Sequence, residues 1–240
     1  MYLGGVLAAV TEALLPGLCP HCGALLPGKD RGLCRGCWSK MVPLAGAACP
    51  RCGVPSDDPS LPCLDCVRTP PPQGATVIWG EHDGSLRTAV LSLKYGGRDD
   101  FSPRLGARLA AVVAAQPWGG TIDTVSFVPS HPLRRIRRPW AAAELLGREI
   151  AKCLERPFVP LLRRHGLRRQ SGHSRAQRLE LPSRSFSPST AADGRYILLV
   201  DDVTTTGTTL RRAAATLKRA GAEAVFGAIL ALALDPRRMP

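Results

Sequence analysis

The chain has 240 residues, enough for one α/β domain with a small additional module but too few for two large domains. Its hydrophobic content of 45% supports a core, which aliphatic side chains must build because aromatic residues make up only 5%. The formal net charge of +13 indicates an anionic partner, and no apolar run approaches the roughly 20 residues of a membrane span.

The first predicted element is a short amphipathic helix near the amino terminus. Its apolar face would carry Leu3, Val6, Leu7, Val10 and Leu14. Glu12 interrupts the apolar stretch and no basic segment precedes it, so the pattern argues against a signal peptide. We therefore expect a cytoplasmic protein, in which cysteines stay reduced.

Residues 1–67 contain four Cys-x-x-Cys pairs, and two such pairs supply the four thiolates of a tetrahedral zinc site. The pairs are Cys19/Cys22, Cys34/Cys37, Cys49/Cys52 and Cys63/Cys66. Similar gaps favour a double zinc ribbon that holds two Zn²⁺ ions, one on the first four cysteines and one on the last four. An interleaved pairing stays open. Four copies and the reducing compartment disfavour redox motifs and disulfides, and closed all-thiolate sites are structural.

Residues 68–75 are rich in proline and predict a stiff linker. Residues 76–240 form the predicted large domain, which is α/β because strand-like runs alternate with helical patterns, and its sheet should be mostly parallel and flanked by helices. The predicted strands are 76–81, 123–128, 196–200 and 224–231, and the predicted helices are 85–95, 103–115, 140–154 and 208–220. Residues 163–195 are polar and basic, which predicts a long mobile loop that is either a functional lid or disordered.

Residues 196–210 carry the most informative motif, YILLVDDVTTTGTTL. An apolar strand leads into Asp201 and Asp202, which would lie at the ligand-binding edge of a parallel sheet. The following loop amides can hold a phosphate together with the helix N-terminus, and Gly207 permits close approach of the backbone. The paired acids can accept hydrogen bonds from ribose hydroxyls, directly or through hydrated Mg²⁺. A threonine cap on an ordinary helix would explain the threonines but not these acids.

This motif resembles the 5-phosphoribosyl-1-diphosphate (PRPP) signature of type I phosphoribosyltransferases almost letter for letter. The resemblance implies that fold for the large domain and Asp201 and Asp202 as catalytic residues that contact the ribose. It implies PRPP binding by Val203, Thr204, Thr205, Thr206, Gly207, Thr208 and Thr209, with the 5-phosphate held by residues 204–209.

With the cysteine module included, nearly the whole chain resembles the ComF family, also called ComF/GntX. The shared features are the cysteine pairs, the phosphate motif, and the segments 93–96 (LKYG), 128–131 (VPSH) and 170–178. The resemblance implies a role linked to DNA uptake in natural competence. It also implies a turn facing the pyrophosphate and a lid, whose candidate residues are Ser130, His131, Arg134 and Arg169.

The chain departs from the ComF pattern in two segments. Residues 138–142 read RPWAA and lack the amide side chains usual there, and Leu181 stands near the place of an expected Asn. Three functions therefore stay open. The first is a transferase that uses PRPP and Mg²⁺, releases pyrophosphate and acts on an unidentified acceptor. The second is an accessory protein that binds single-stranded DNA or DNA-uptake proteins, favoured by 13 Lys and Arg against three Glu in residues 134–178. The third is a PRPP sensor without turnover.

Overall fold

The structure is a computed structural model that describes residues 17–27, 32–130, 141–165, 185–190 and 192–233. In these ranges the strands are β1 (Ala75–Glu81), β2 (Thr124–Phe127), β3 (Leu162–Arg164), β4 (Phe186–Pro188), β5 (Tyr196–Thr204) and β6 (Ala224–Leu232). The helices are α1 (Arg35–Ser39), α2 (Leu64–Arg68), α3 (Gly84–Tyr95), α4 (Ser102–Ala114), α5 (Ala142–Leu154) and α6 (Thr208–Arg219). The predicted amino-terminal helix lies outside the described residues.

Four parallel strands form the main sheet in the order β1-β6-β5-β2. Of its two central strands, β6 is apolar along its whole length and β5 is apolar over residues 197–200, because helices cover both faces there. Leu198 and Val200 point into the cluster built with α3, α4 and α5. Ile197 and Leu199 alternate with them and pack against α6 on the opposite face. The sheet is therefore the middle layer of an α/β sandwich, as the sequence predicted.

Strand β5 extends beyond its predicted end. The apolar run stops at residue 200, but hydrogen-bonded pairing with β6 continues through Asp201 to Thr204, opposite Leu232. The ladder continues because β6 remains apolar and available along this length. The paired acids consequently lie on a rigid central strand rather than in a loop.

The segment 163–195, predicted as a loop, contains ordered structure at both ends. Strands β3 and β4 pair antiparallel, and Leu162 and Phe186 are buried against the α6 side of the sheet. Burial of these apolar side chains explains why the ends are ordered despite the polar composition. Residues 166–184, where the predicted lid falls, lie outside the described residues. None of the helices in the described ranges is both long and apolar enough to traverse a bilayer.

The cysteine-rich segment shares a core with the large domain. Trp38 and Met41 are buried in the same cluster as α3 and α4, and Arg108 of α4 donates to the Trp38 carbonyl at 3.0 Å. The Leu44 amide donates to the Trp79 carbonyl of β1 at 2.8 Å, on the edge of the sheet. Within the predicted linker, Gln73 is buried and the Gly74 amide donates to the Val225 carbonyl, so this segment lies against the sheet.

Candidate functional site

The turn between β5 and α6 is held by a side-chain hydrogen bond and contains a left-handed glycine. Thr204 is buried, and its hydroxyl oxygen accepts a hydrogen bond from the Gly207 amide at 2.9 Å. The hydroxyls of Thr206 and Thr208 are 2.8 Å apart. Gly207 has a φ of +70°, a left-handed conformation that favours glycine, and a Cβ at this position would meet open space. The buried Thr204 hydroxyl therefore holds the turn on one side, while the space beside Gly207 is open.

Helix α6 begins immediately after this turn, with Gly207 as its N-cap. The first turn of a helix has amides without intrahelical acceptors and carries the positive end of the helix dipole. Threonine hydroxyls at 205, 206 and 208 stand beside these amides and are exposed. Together they form a cradle of donors suited to a phosphate group.

The two acidic residues of β5 differ in their surroundings. Asp202 forms an ion pair with Lys94 of α3, with 2.7 Å between the Lys94 Nζ and the Asp202 Oδ1. Asp201 accepts a hydrogen bond from the Asp202 amide at 2.9 Å. Burial, followed by the negative charge of Asp202, raises the pKa of Asp201 to about 8. A cation bound beside the two carboxylates would oppose this shift and favour the ionised form of Asp201.

The eight cysteines of the amino-terminal segment form two separate clusters. One contains Cys19, Cys22, Cys34 and Cys37, and the other contains Cys49, Cys52, Cys63 and Cys66. The sulfur atoms of each cluster lie within 4.8 Å of one another, and all eight are free thiols. This is the sequential pairing, and the interleaved alternative is excluded.

The cluster geometry fits zinc. A tetrahedron with Zn–S bonds of about 2.3 Å has sulfur–sulfur edges of about 3.8 Å. The Cys22 and Cys34 sulfurs are 3.6 Å apart, and those of Cys52 and Cys63 are 3.7 Å apart. Burial opposes ionisation of Cys19, but amide donors from Cys34, Cys22 and His21 outweigh it and lower its pKa to about 6. In the same cluster, burial raises the pKa of Cys37. Four thiolates with no open position make each site structural.

Comparison with known proteins gives the same two parts. Residues 10–67 match the double zinc ribbon domain, and residues 142–239 match the phosphoribosyl transferase domain. The DNA utilization protein YhgH of Salmonella typhi is 31% identical over 225 residues, which cover 88% of this chain and 95% of that protein. The chain belongs to the ComF/YhgH family. Competence protein ComFC of Bacillus subtilis is 25% identical over 198 residues, or 80% of each chain.

Among solved structures, a glutamine PRPP amidotransferase from B. subtilis aligns with a TM-score of 0.42 and 24% identity. The alignment covers 57% of this chain and 30% of that one. The phosphoribosyltransferase fold of this ComF/YhgH protein is given by the domain match and by its parallel sheet with flanking helices.

Of the four predicted pyrophosphate and lid residues of this ComF/YhgH protein, one lies within the described residues and three lie outside them. Ser130 is described and half-buried; it follows β2, where the Val128 amide donates to the Val200 carbonyl of β5. This places the start of the 128–131 segment beside the strand that carries the acids. His131, Arg134 and Arg169 lie outside the described residues, so their roles stay predictions.

Two residues that the fold brings to this edge of the sheet, Lys94 and His82, were not predicted from the sequence to belong to the site. Lys94 belongs to the LKYG segment that resembles the ComF family, and this place in a shared segment could have indicated a role in the site. His82 follows β1, and its Nε2 is buried without a hydrogen-bond partner among the described residues. Burial and the charges of Lys94 and Arg87 lower the pKa of His82. No local pattern pointed to His82, because only the strand order brings β1 near β5.

Proposed function

We propose that this site binds PRPP together with Mg²⁺ and transfers its phosphoribosyl group to an acceptor nucleophile. The observation that carries the proposal is the donor cradle of residues 204–209 placed directly after two carboxylates on a central parallel strand. Ligands of open α/β sheets bind at this edge. A sugar phosphate needs both features, because the cradle suits its phosphate and the carboxylates suit its hydroxyls.

The 5-phosphate is assigned to the cradle. The left-handed turn at Gly207 leaves space where a side chain would stand, so a phosphate oxygen can approach the main chain. The amides of the first turn of α6 and the hydroxyls of Thr206 and Thr208 would donate to it. Thr204 is buried and instead holds the turn in shape through the Gly207 amide.

The ribose and the diphosphate are assigned to the acidic end of β5. Asp201 and Asp202 offer hard oxygen atoms that suit Mg²⁺ and ribose hydroxyls. Bound Mg²⁺ would supply positive charge to the diphosphate. Lys94 already lies 2.7 Å from Asp202 and would either keep that carboxylate oriented or turn to the diphosphate when ligand binds.

The proposed reaction breaks the bond between C1 of the ribose and the diphosphate oxygen. The acceptor forms the new bond to C1 and loses its proton, and pyrophosphate leaves with the bonding electron pair. The residues of the site would stabilise the leaving charge and exclude water from the reacting carbon. Segment 138–142 departs from the family pattern, so the acceptor class is left unassigned.

Calorimetric titration with PRPP and Mg²⁺ tests the binding step. We expect saturable binding that is abolished by the double change Asp201→Asn with Asp202→Asn. The double change Asp57→Asn with Asp58→Asn is the matched control, because it removes two adjacent, exposed carboxylates from the second zinc ribbon. Unchanged affinity in the β5 variant would refute the assignment. Pyrophosphate release in the presence of nucleobases or amines then separates a transferase from a sensor that binds without turnover.

The names of the relatives support a biological setting in DNA handling, since they include a DNA utilization protein and a competence protein. The net charge of +13 favours contact with nucleic acid. In α5, however, Arg148 pairs with Glu144 and Lys152 pairs with Glu149, so part of the predicted basic stripe is internally neutralised. We place the proposed activity in the cytoplasm, where the zinc thiolates stay reduced.

Fluorescence polarisation with a labelled oligothymidylate tests the DNA role. A DNA-binding accessory predicts affinity that falls steeply with salt, survives the double change in β5, and weakens when Arg163, Arg164, Arg168 and Arg169 are neutralised. Binding that is absent at low salt would remove this second candidate while leaving the PRPP proposal intact.

A further inference from the structure

Arg211 connects the phosphate loop with the second zinc ribbon. It lies in the first turn of α6, and its Nη2 donates to the Cys66 sulfur at 3.4 Å. Its Nη1 donates to the Thr69 carbonyl at 2.8 Å. Cys66 is one of the four cysteines of the second cluster, and Thr69 follows α2, the helix that contains Cys66. The guanidinium therefore holds this ribbon at two points.

The main chain of the same residue holds the phosphate loop. The Arg211 amide donates to the Gly207 carbonyl at 2.9 Å and so closes the first turn of α6 on the left-handed glycine. A restraint on the Arg211 side chain is thereby passed to the loop through one residue. Arg211 thus bonds to the second zinc ribbon through its side chain and to Gly207 through its main chain.

The chemistry of the second cluster favours a cation at this position. Four thiolates around one Zn²⁺ leave a net charge of about −2, and a charged donor to a ligand sulfur offsets part of it. The planar guanidinium can donate to a sulfur and a carbonyl at once, whereas a lysine ammonium lacks this fork. Outer-shell donors of this kind typically change metal affinity by about 10–100-fold.

The first zinc ribbon contacts the domain in another way. The Trp38 ring lies against the guanidinium groups of Arg104 and Arg108, 4.7 and 5.4 Å from its centroid. His21 Nδ1 is 2.9 Å from the Thr88 hydroxyl of α3. These contacts lead to α3 and α4 on the other face of the sheet. The link from a metal ligand to the phosphate loop belongs to the second ribbon.

We propose that Arg211 is a positioning residue that makes the order of the phosphate loop depend on zinc in the second ribbon. Loss of zinc from that ribbon frees Cys66 and α2, releases the guanidinium and loosens the turn at Gly207. The consequence for PRPP affinity rests on the proposed function above. The coupling between metal and loop does not.

The test uses the full-length, zinc-loaded chain with Arg211→Met, Arg211→Lys and the control Arg212→Met, which removes the exposed neighbouring arginine. Zinc release to a chromophoric chelator and hydrogen–deuterium exchange of residues 204–211 are measured. We expect Arg211→Met to release one of its two zinc ions at least about tenfold faster. We also expect the loop to exchange faster while zinc is still bound. Arg211→Lys should restore part of both effects, and Arg212→Met should behave as wild type.

Wild-type zinc release together with wild-type loop exchange in Arg211→Met would overturn the proposal. Faster zinc release with an unchanged loop would also overturn it, because Arg211 would then only shield the metal. Should the Met variant fail to fold, Arg211→Lys carries the same measurements. If the wild-type protein binds no PRPP, the proposed function fails, yet the exchange data still decide whether metal and loop are coupled.

Discussion

Two glycines at equivalent positions of the zinc ribbons allow the docking of the second ribbon to be measured. Gly23 and Gly53 each follow the second cysteine of a pair, each has a φ of +73°, and each amide donates at 2.9 Å to the carbonyl of the first cysteine. They differ in their surroundings. A Cβ on Gly23 would meet nothing within 4 Å, whereas one on Gly53 would lie 2.6 Å from the Thr76 carbonyl oxygen of β1.

Gly53→Ala should therefore weaken this docking, and Gly23→Ala is its matched control. Both changes place an alanine in the left-handed region, which costs about 1 kcal/mol. The Gly53 change adds a clash with main-chain atoms that cannot rotate away, and overpacking of this kind costs about 1–3 kcal/mol more. For a chain of this size, each kcal/mol lowers Tm by about 2–4 °C. Gly23→Ala should lower Tm by about 2–4 °C and Gly53→Ala by about 4–16 °C.

The assay is thermal unfolding followed by circular dichroism on protein whose zinc content has been measured. Both variants should bind two zinc ions per chain, because neither change touches a ligand. Equal losses of Tm in the two variants would show that the second ribbon does not pack on β1. A larger loss for Gly23→Ala would contradict this packing as well.

Three further predictions concern the site and the metals. The pKa of Asp201 is raised to about 8 from an ordinary value of 3.8, so between these values the folded chain keeps a proton that the unfolded chain has lost. The Tm of the wild-type protein should consequently fall, relative to that of Asp201→Asn, as pH rises from 4 to 8. The affinity for PRPP with Mg²⁺ should rise by up to about tenfold per pH unit until pH 8 and then level off, which calorimetry at several pH values will measure. Lys94→Met removes the cation beside Asp202 and should weaken PRPP binding about tenfold, whereas Lys94→Arg should keep most of the affinity; equal affinities for both would contradict a role for the charge. Blocking all thiols of the folded protein with a mercurial reagent should release two zinc ions per chain, measured by a metal-sensitive dye, and a value near one would contradict the two-cluster arrangement.

The elements were predictable because their signals are local. Strands covered on both faces appear as apolar runs, as in β5 and β6. Both strands begin at their predicted residues, and β6 ends one residue beyond its predicted end. The Cys-x-x-Cys spacing is likewise local, because the two thiolates of a pair reach the same metal within one turn. The phosphate motif reports the strand, turn and helix that form it, and both the turn at Gly207 and the start of α6 lie where the motif predicts.

Long-range contacts were decided by the tertiary structure. Hydrogen bonding with β6 extended β5 past the end of its apolar run. Burial of Leu162 and Phe186 ordered the two ends of the predicted loop, where β3 and β4 pair with each other. The sequential grouping of the cysteines also depended on which turns meet in space.

Residue types and their spacing along the chain indicate the chemistry that is available: eight thiolates for zinc, and two acids followed by a hydroxyl-rich turn for a sugar phosphate. Only the fold placed Lys94 against Asp202 and joined Arg211 to Cys66, 145 residues earlier in the chain. A short segment can bind only what its own residues and their spacing allow, whereas contacts between distant segments follow from strand order and from the packing of helices on the sheet.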